Sequence, residues 1–220
     1  VEIAVARLDD ARGLRAAMAG VEAVFHLAGA EWRGRREDVQ AVDVLGTRAV
    51  VEAAREAGVK RLIYLSHLGA DRASAYSFLK AKGIAEEVIR ASGLPYTILR
   101  SAVAYGKEDV FTNAIAMVLK AVPLFFLLPG DGQVLLQPLW VEDLTTCLAW
   151  ALEDAASMNQ TLSLGGPETH TFLALVQIIM KKIGAPRMPV PVRQPYLRAL
   201  AWWLNGILPR SPLNPRWLDY

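Results

Sequence analysis

The sequence predicts an α/β fold, a parallel sheet covered by helices on both faces, and three observations carry that expectation. Short β-rich runs alternate with helical periods from the first residues to about residue 101. Runs such as Ala23-Val24-Phe25 and Arg61-Leu62-Ile63-Tyr64-Leu65 are almost continuously apolar, as strands buried on both faces must be. Gly20, Gly58 and Gly93-Leu94-Pro95 stand where helices should stop.

Taken in order, residues 1–6 alternate like a strand, and Asp10 is placed to cap a helix over 10–19. A strand over 22–28, a helix over 38–57, a strand over 60–66, a helix over 74–91 and a strand over 95–101 complete the repeat. Beyond residue 105 the rhythm changes. A helix near 109–121 leads into Leu127-Leu128-Pro129-Gly130-Asp131-Gly132, a turn cluster that suggests a hairpin, and 137–141 returns to strand. Helices near 142–153, 171–184 and 194–207 follow, separated by residues 162–167 and by the proline-rich stretch 186–195. The chain therefore divides into a sheet domain over 1–106 and a smaller C-terminal lobe over 107–220, with 137–164 returning to the sheet.

Composition removes several classes of function. With 220 residues, 53% hydrophobic and 21% charged, the chain is neither a disordered tail nor a polyelectrolyte arm. A net charge of +2 supplies no basic field for nucleic acid. The apolar stretch 110–128 is broken by Thr112, Asn113, Lys120 and Pro123, short of the ~20 apolar residues a membrane helix needs. A single cysteine, Cys147, cannot close an internal disulfide, which fits a reducing compartment, and no signal-peptide pattern opens the sequence, so a cytoplasmic location is expected. No spacing of His, Cys, Asp or Glu marks a metal site.

Six segments, in order, carry a family likeness: His26-Leu27-Ala28-Gly29; Val44-Leu45-Gly46-Thr47-Arg48; residues 58–66, reading GVKRLIYLS; Thr97-Ile98-Leu99-Arg100; residues 138–144, reading PLWVEDL; and Leu164-Gly165-Gly166-Pro167-Glu168. Together they resemble the atypical or extended branch of the short-chain dehydrogenase/reductase superfamily, which includes NmrA-like proteins, sugar-nucleotide epimerases and an NAD(P)H-binding accessory subunit of respiratory complex I. The resemblance implies a Rossmann-type, doubly wound parallel sheet and NAD or NADP as cofactor. Members of the family open with a strand, a GxxGxxG turn and a helix, and the turn cradles the pyrophosphate. No such glycine string occurs here. By the family pattern Val1 corresponds to the third strand, so a β-α-β-α portion is expected upstream; the alternative is a shortened fold whose sheet another chain completes. Arg7 stands where relatives commonly have an Asp near the adenine, so it either alters adenine recognition or is a solvated arginine at a strand end.

Hydride-transfer members use a Tyr and a Lys four residues apart on one helix face. A phenol of ordinary pKa about 10 is a poor base at neutral pH, and an adjacent ammonium favours its ionised form while holding the nicotinamide ribose. Two frames fit. Tyr76 and Lys80 satisfy the spacing literally; Phe78 and Lys82, followed by Glu86, reproduce the family's further spacing and put a phenylalanine in the tyrosine's place. The resemblance also makes Ser66, at a strand end, a candidate to polarise the substrate oxygen, with His67 beside it either a proton donor or a solvent-facing loop residue. Ala28 and Gly29, Lys82, and Ser101 with Ala102 are the candidate cofactor contacts.

The function implied is an NAD(P)-dependent oxidoreductase or epimerase-like enzyme acting on a small carbonyl, hydroxyl or sugar-nucleotide substrate, as a monomer or homodimer. In it Ser66, Tyr76 and Lys82 or Lys80 would carry the chemistry. The alternative is a non-catalytic NAD(P)H-binding sensor or assembly subunit. In the C-terminal helix Leu197, Leu200, Ala201, Leu204, Ile207 and Leu208 form one apolar stripe. Trp202, with Trp203, Arg210, Arg216 and Trp217 near it, offers either a contact with a membrane surface or partner or packing beneath the tail.

Overall fold

A parallel sheet needs each strand to find an edge and each apolar face a cover, and one unit of the chain supplies both. The computed structural model describes residues 2–30 and 38–207, the last seven by backbone alone. It separates into two compact units, residues 1–101 with 142–164, and residues 102–141 with 165–220.

In the first unit β1 (Ala23–His26), β2 (Arg61–His67), β3 (Tyr96–Ser101) and β8 (Gln160–Leu164) form one parallel sheet in the order β1-β2-β3-β8. Helix α1 (Ala11–Met18) is capped by Asp10, whose carboxylate accepts the Gly13 amide at 2.9 Å. The helix expected over 38–57 begins instead as a π-helical turn, Gln40–Gly46, and continues as α2 (Thr47–Glu56). With α3 (Ser77–Arg90) these helices cover one face, where Leu14, Met18, Val50, Val51 and Ile89 pack on Leu62, Tyr64 and Ile98. Strand alternation sends Arg61, Ile63, Thr97 and Leu99 to the other face. There α5 (Val141–Glu153) lies, and the buried Arg61 guanidinium donates to the Ala151 and Asp154 carbonyls, Thr97 and Ser157. Each fully buried Leu or Ile of this sheet contributes roughly 1.5–3 kcal/mol.

In the second unit β5 (Phe125–Pro129) pairs in parallel with β10 (Met188–Val192). Helices α4 (Val110–Ala121) and α6 (Phe172–Ile183) cover the pair, with Phe111, Ile115, Leu119, Phe126, Leu128 and Val176 as core. Short pairings join β4 (Ala104–Tyr105) to β7 (Leu139–Trp140) and β6 (Leu135–Leu136) to β9 (His170–Thr171). Helix α7 (Gln194–Ile207) closes the described chain.

Four expectations change. Residues 2–6 form no strand: Ile3 and Val5 are 88% and 97% exposed, because alternation makes a strand only where a neighbouring edge takes its hydrogen bonds. The cluster at 127–132 is not a hairpin turn, since β5 on its near side pairs with β10, 63 residues on, and the turn leads into β6. The strand expected over 137–141 is only the two residues of β7. The proline-rich stretch contains a strand. Pro189 and Pro191 alternate, so both missing N–H groups fall on the side away from β5, while Met188 donates to the Leu124 carbonyl and Val192 accepts the Gly130 amide. Arg7 is an exposed arginine paired with Asp9 at 2.9 Å, and Cys147 is half-buried. Among the described residues no helix is long and apolar enough to cross a membrane and no group of side chains could hold a metal ion. The side chains of residues 201–207 and all of 208–220, including Trp202, Trp203, Arg210, Arg216 and Trp217, lie outside the described structure.

Candidate functional site

In open parallel sheets ligands bind beyond the carboxyl ends of the strands. At that end of the first unit, His26 closes β1 and Ser66 and His67 close β2, with α3 running back beside them.

The start of α3 places the two Tyr/Lys frames differently. The helix begins at Ser77, three residues later than expected, so Tyr76 is its extended N-terminal flanking residue, 39% exposed, with its amide on Ser74 Oγ. Lys80 faces solvent. Phe78, Lys82 and Glu86, spaced by four, share the buried face at 2%, 6% and 0% exposure. Gly83 lets this face come close: a Cβ there would land on the backbone of Asp71 and Arg72.

Lys82 is the centre of a buried polar cluster. Its Nζ lies 3.1 Å from Asp43 Oδ1 and donates to the Leu65 carbonyl at 3.3 Å. It stands 5.1 Å from the Tyr64 ring centroid and 5.8 Å from that of Phe78. Burial works against the ammonium, but Tyr64 and Asp43 beside it outweigh burial and hold the lysine pKa above its ordinary value. Asp43, fully buried on the π-helical turn, accepts the Ala30 amide on Oδ2 at 3.1 Å. Local sequence patterns do not single out Asp43; the signal that could have found it is a lone carboxylate inside the apolar run Ala41-Val42-Asp43-Val44-Leu45, directly before the segment Val44 to Arg48.

His26 stacks on Tyr64, its cross-strand neighbour, at 5.3 Å between ring centroids. Thr47 spends its hydroxyl proton on the Asp43 carbonyl at 2.6 Å, so His26 must donate through Nε2 to Thr47 Oγ1 at 2.9 Å. Burial, helped by the Lys82 charge, lowers the His26 pKa to about 4, and the ring is neutral at physiological pH. The Tyr64 hydroxyl is buried without a hydrogen bond among the described residues, and burial raises its pKa.

Ser66 is buried, and its Oγ donates to Glu86 Oε1 at 2.6 Å. Glu86 also accepts from Arg100 Nε and Nη2, at 2.8 and 2.7 Å, and from Arg90 at 2.7 Å. Burial would raise its pKa, but the donors Arg100, Ser66 and Arg90 prevail and lower it. His67 is neither a free proton donor nor a solvent-facing loop residue. It ends β2 half-buried, donates through Nδ1 to the Leu68 carbonyl at 2.6 Å and lies edge-on to Phe78, and burial lowers its pKa.

Of the candidate cofactor contacts, Ala28 and Gly29 follow β1 half-buried, and Ser101 ends β3, its carbonyl accepting the Leu68 amide at 3.0 Å. Ala102 belongs to the second unit. Gly29 leaves its backbone open against the ion pair: a Cβ there would stand 3.3 Å from Lys82 Nζ and 3.4 Å from Asp43 Oδ1. Lys82 Nζ is ion-paired with Asp43 and donates to the Leu65 carbonyl. An ammonium beside a glycine of the loop after β1 fits the ribose hydroxyls of a dinucleotide, whereas no glycine turn to grip its phosphates occurs in this sequence.

A parallel α/β unit with such a lysine at the carboxyl ends of its strands is the architecture of dinucleotide-binding proteins. Residues 1–116 match the NAD(P)H-binding family, and the chain belongs to it; the cofactor class is NAD or NADP. The chain is 30% identical to the rat protein named NADH dehydrogenase [ubiquinone] 1 alpha subcomplex subunit 9, mitochondrial, over 94% of this chain and 53% of the relative. The Arabidopsis thaliana protein of the same name is 31% identical over 87% of this chain and 48% of the relative. The chain thus spans about half the length of these curated relatives. Citrobacter sp. triphenylmethane reductase, solved with NADP(H), shares the fold at TM-score 0.78 and 23% identity, covering 100% of this chain and 73% of that one. The expected cytoplasmic location is corrected by these relatives, whose names place them in mitochondria.

Proposed function

We propose that the protein containing this chain binds NAD(P)H without turning it over and serves as an accessory or assembly subunit of a respiratory NADH–ubiquinone oxidoreductase. One observation carries this reading: the residue paired with the buried lysine, four positions before it on α3, is Phe78, which can neither give nor take a proton. The other candidate groups support it. Tyr76 lies outside the helix and Lys80 faces solvent, while the Ser66 proton is directed at Glu86. The bound nicotinamide would supply hydride chemistry in an enzyme of this fold. Here Lys82 would hold a ribose hydroxyl, and no residue beside it on α3 would exchange a proton with a substrate. The mitochondrial relatives named above favour the subunit role.

The test is to express the full-length protein in its own host. It should retain NAD(P)H through gel filtration, oxidise none of it with small carbonyl substrates, and migrate with the respiratory complex on native gels. Steady NAD(P)H oxidation that Tyr76→Phe or Ser66→Ala abolishes would overturn the reading.

A further inference from the structure

Lys82 needs a negative partner to sit in an apolar layer, and what supplies it bears on what the site can do. An ammonium stripped of water is stable only when paired and hydrogen-bonded. In hydride-transfer members of the superfamily the ammonium acts on a phenol one helical turn away; here that position holds the Phe78 ring, which can take no charge. The charge is met by Asp43, which is itself fixed at both oxygens, Oδ1 against Lys82 Nζ and Oδ2 beneath the Ala30 amide. The π-helical turn, a feature concentrated at functional sites, carries Asp43 into this layer, and Thr47 ties the turn's own carbonyl.

Of the other ionisable groups facing the ammonium, Tyr64 favours it with its ring at 5.1 Å, and none is a carboxylate left to pair with it. His26 on β1 is held neutral, and Tyr64 and His67 on β2 are disfavoured in their charged forms by burial. Glu86, on α3 itself, is occupied by Arg90, Arg100 and Ser66. Asp43 is therefore the one carboxylate within ion-pairing distance of Lys82 among the described residues.

We propose that Asp43 is the fixed counter-ion of Lys82: it cancels the lysine's field at position 78, and by binding both Lys82 and the 28–30 loop it makes this lysine a neutral anchor for a ribose diol rather than an activator of a phenol. Asp43 is thus a positioning residue. The inference rests on the reading that Lys82 meets the cofactor's ribose, yet its central claim is measurable without cofactor.

The experiment installs a phenol by F78Y and follows its ionisation by the ultraviolet phenolate band, as a difference from the parent protein. In F78Y the introduced phenol should titrate at or above the ordinary tyrosine value of about 10. In F78Y/D43N, with the ammonium unneutralised, it should become at least tenfold more acidic. An introduced phenol that already ionises near neutrality in F78Y, or that titrates identically in both variants, overturns the proposal. If D43N does not fold, F78Y alone decides between the two outcomes. Nicotinamide fluorescence titration adds an independent arm: D43N should weaken NADPH binding about tenfold. Wild-type protein that binds neither NADH nor NADPH would defeat the functional reading, while the phenol titration would still decide the role of Asp43 separately.

Discussion

Ser66 and Glu86 are joined by a 2.6 Å hydrogen bond in which the serine is the donor. Glu86 also takes Arg100 from β3 and Arg90 from its own helix, and Arg90 reaches on to Thr161 of β8 at 3.0 Å. One buried carboxylate thus links β2, β3, α3 and β8. This makes Ser66 a member of a structural clamp at the sheet's carboxyl end.

Removing the carboxylate should therefore cost stability more than binding. We expect Glu86→Gln to lower stability by roughly 2–4 kcal/mol, since two arginines lose the charge they share and one acceptor oxygen becomes a donor, and Ser66→Ala by about 1 kcal/mol. Urea unfolding with an unchanged slope measures both. Unchanged midpoints would show that the partly exposed arginines compensate through water.

Acid should unfold the first unit in two stages. His26 titrates at about 4 when folded against about 6.5 when unfolded, so the unfolded chain binds the extra proton between these values. Stability from this group is complete above pH 6.5, falls as pH drops toward 4, and changes by on the order of 3 kcal/mol in all. Glu86, with its folded pKa lowered, adds a loss at still lower pH, beginning below the unfolded carboxylate value. His26→Gln should make the profile between pH 6.5 and 4 shallower, leaving the part due to His67, and leave the lower limb; an unaltered upper slope would refute the assignment.

A glycine inside a helix is ordinarily improved by alanine, by about 1 kcal/mol. At Gly83 the sign should reverse. The Cβ would collide with the Asp71–Arg72 backbone, which neither rotates nor yields, and we expect a net loss of roughly 2–3 kcal/mol. A thermal melt of Gly83→Ala that rises instead of falling would show that the 71–74 loop moves away freely.

The two lysines should separate cleanly in binding. Lys82→Met should weaken NADPH at least tenfold, whereas Lys80→Met, a change at a solvent-facing side chain, should leave affinity within twofold. Equal losses from both, in a nicotinamide fluorescence titration, would remove Lys82 from the ribose.

Much of this protein was legible in one dimension. A nearly unbroken apolar run marked β2, because a strand covered on both faces is lined mainly by apolar side chains, and Asp10 and Gly20 bounded α1 by local backbone chemistry. The spacing Phe78-Lys82-Glu86 marked one buried face of α3, because four residues nearly complete one turn. What only the tertiary structure decided was which groups face each other across elements. The fate of residues 2–6 depended on a neighbouring edge, and the β5–β10 pairing joins residues 63 positions apart through prolines that a local reading counts as breakers. The partners of Lys82 and Ser66, Asp43 and Glu86, come from segments that local patterns treat separately. A charge buried in an apolar layer is specified by long-range packing, and no local period encodes its counter-ion.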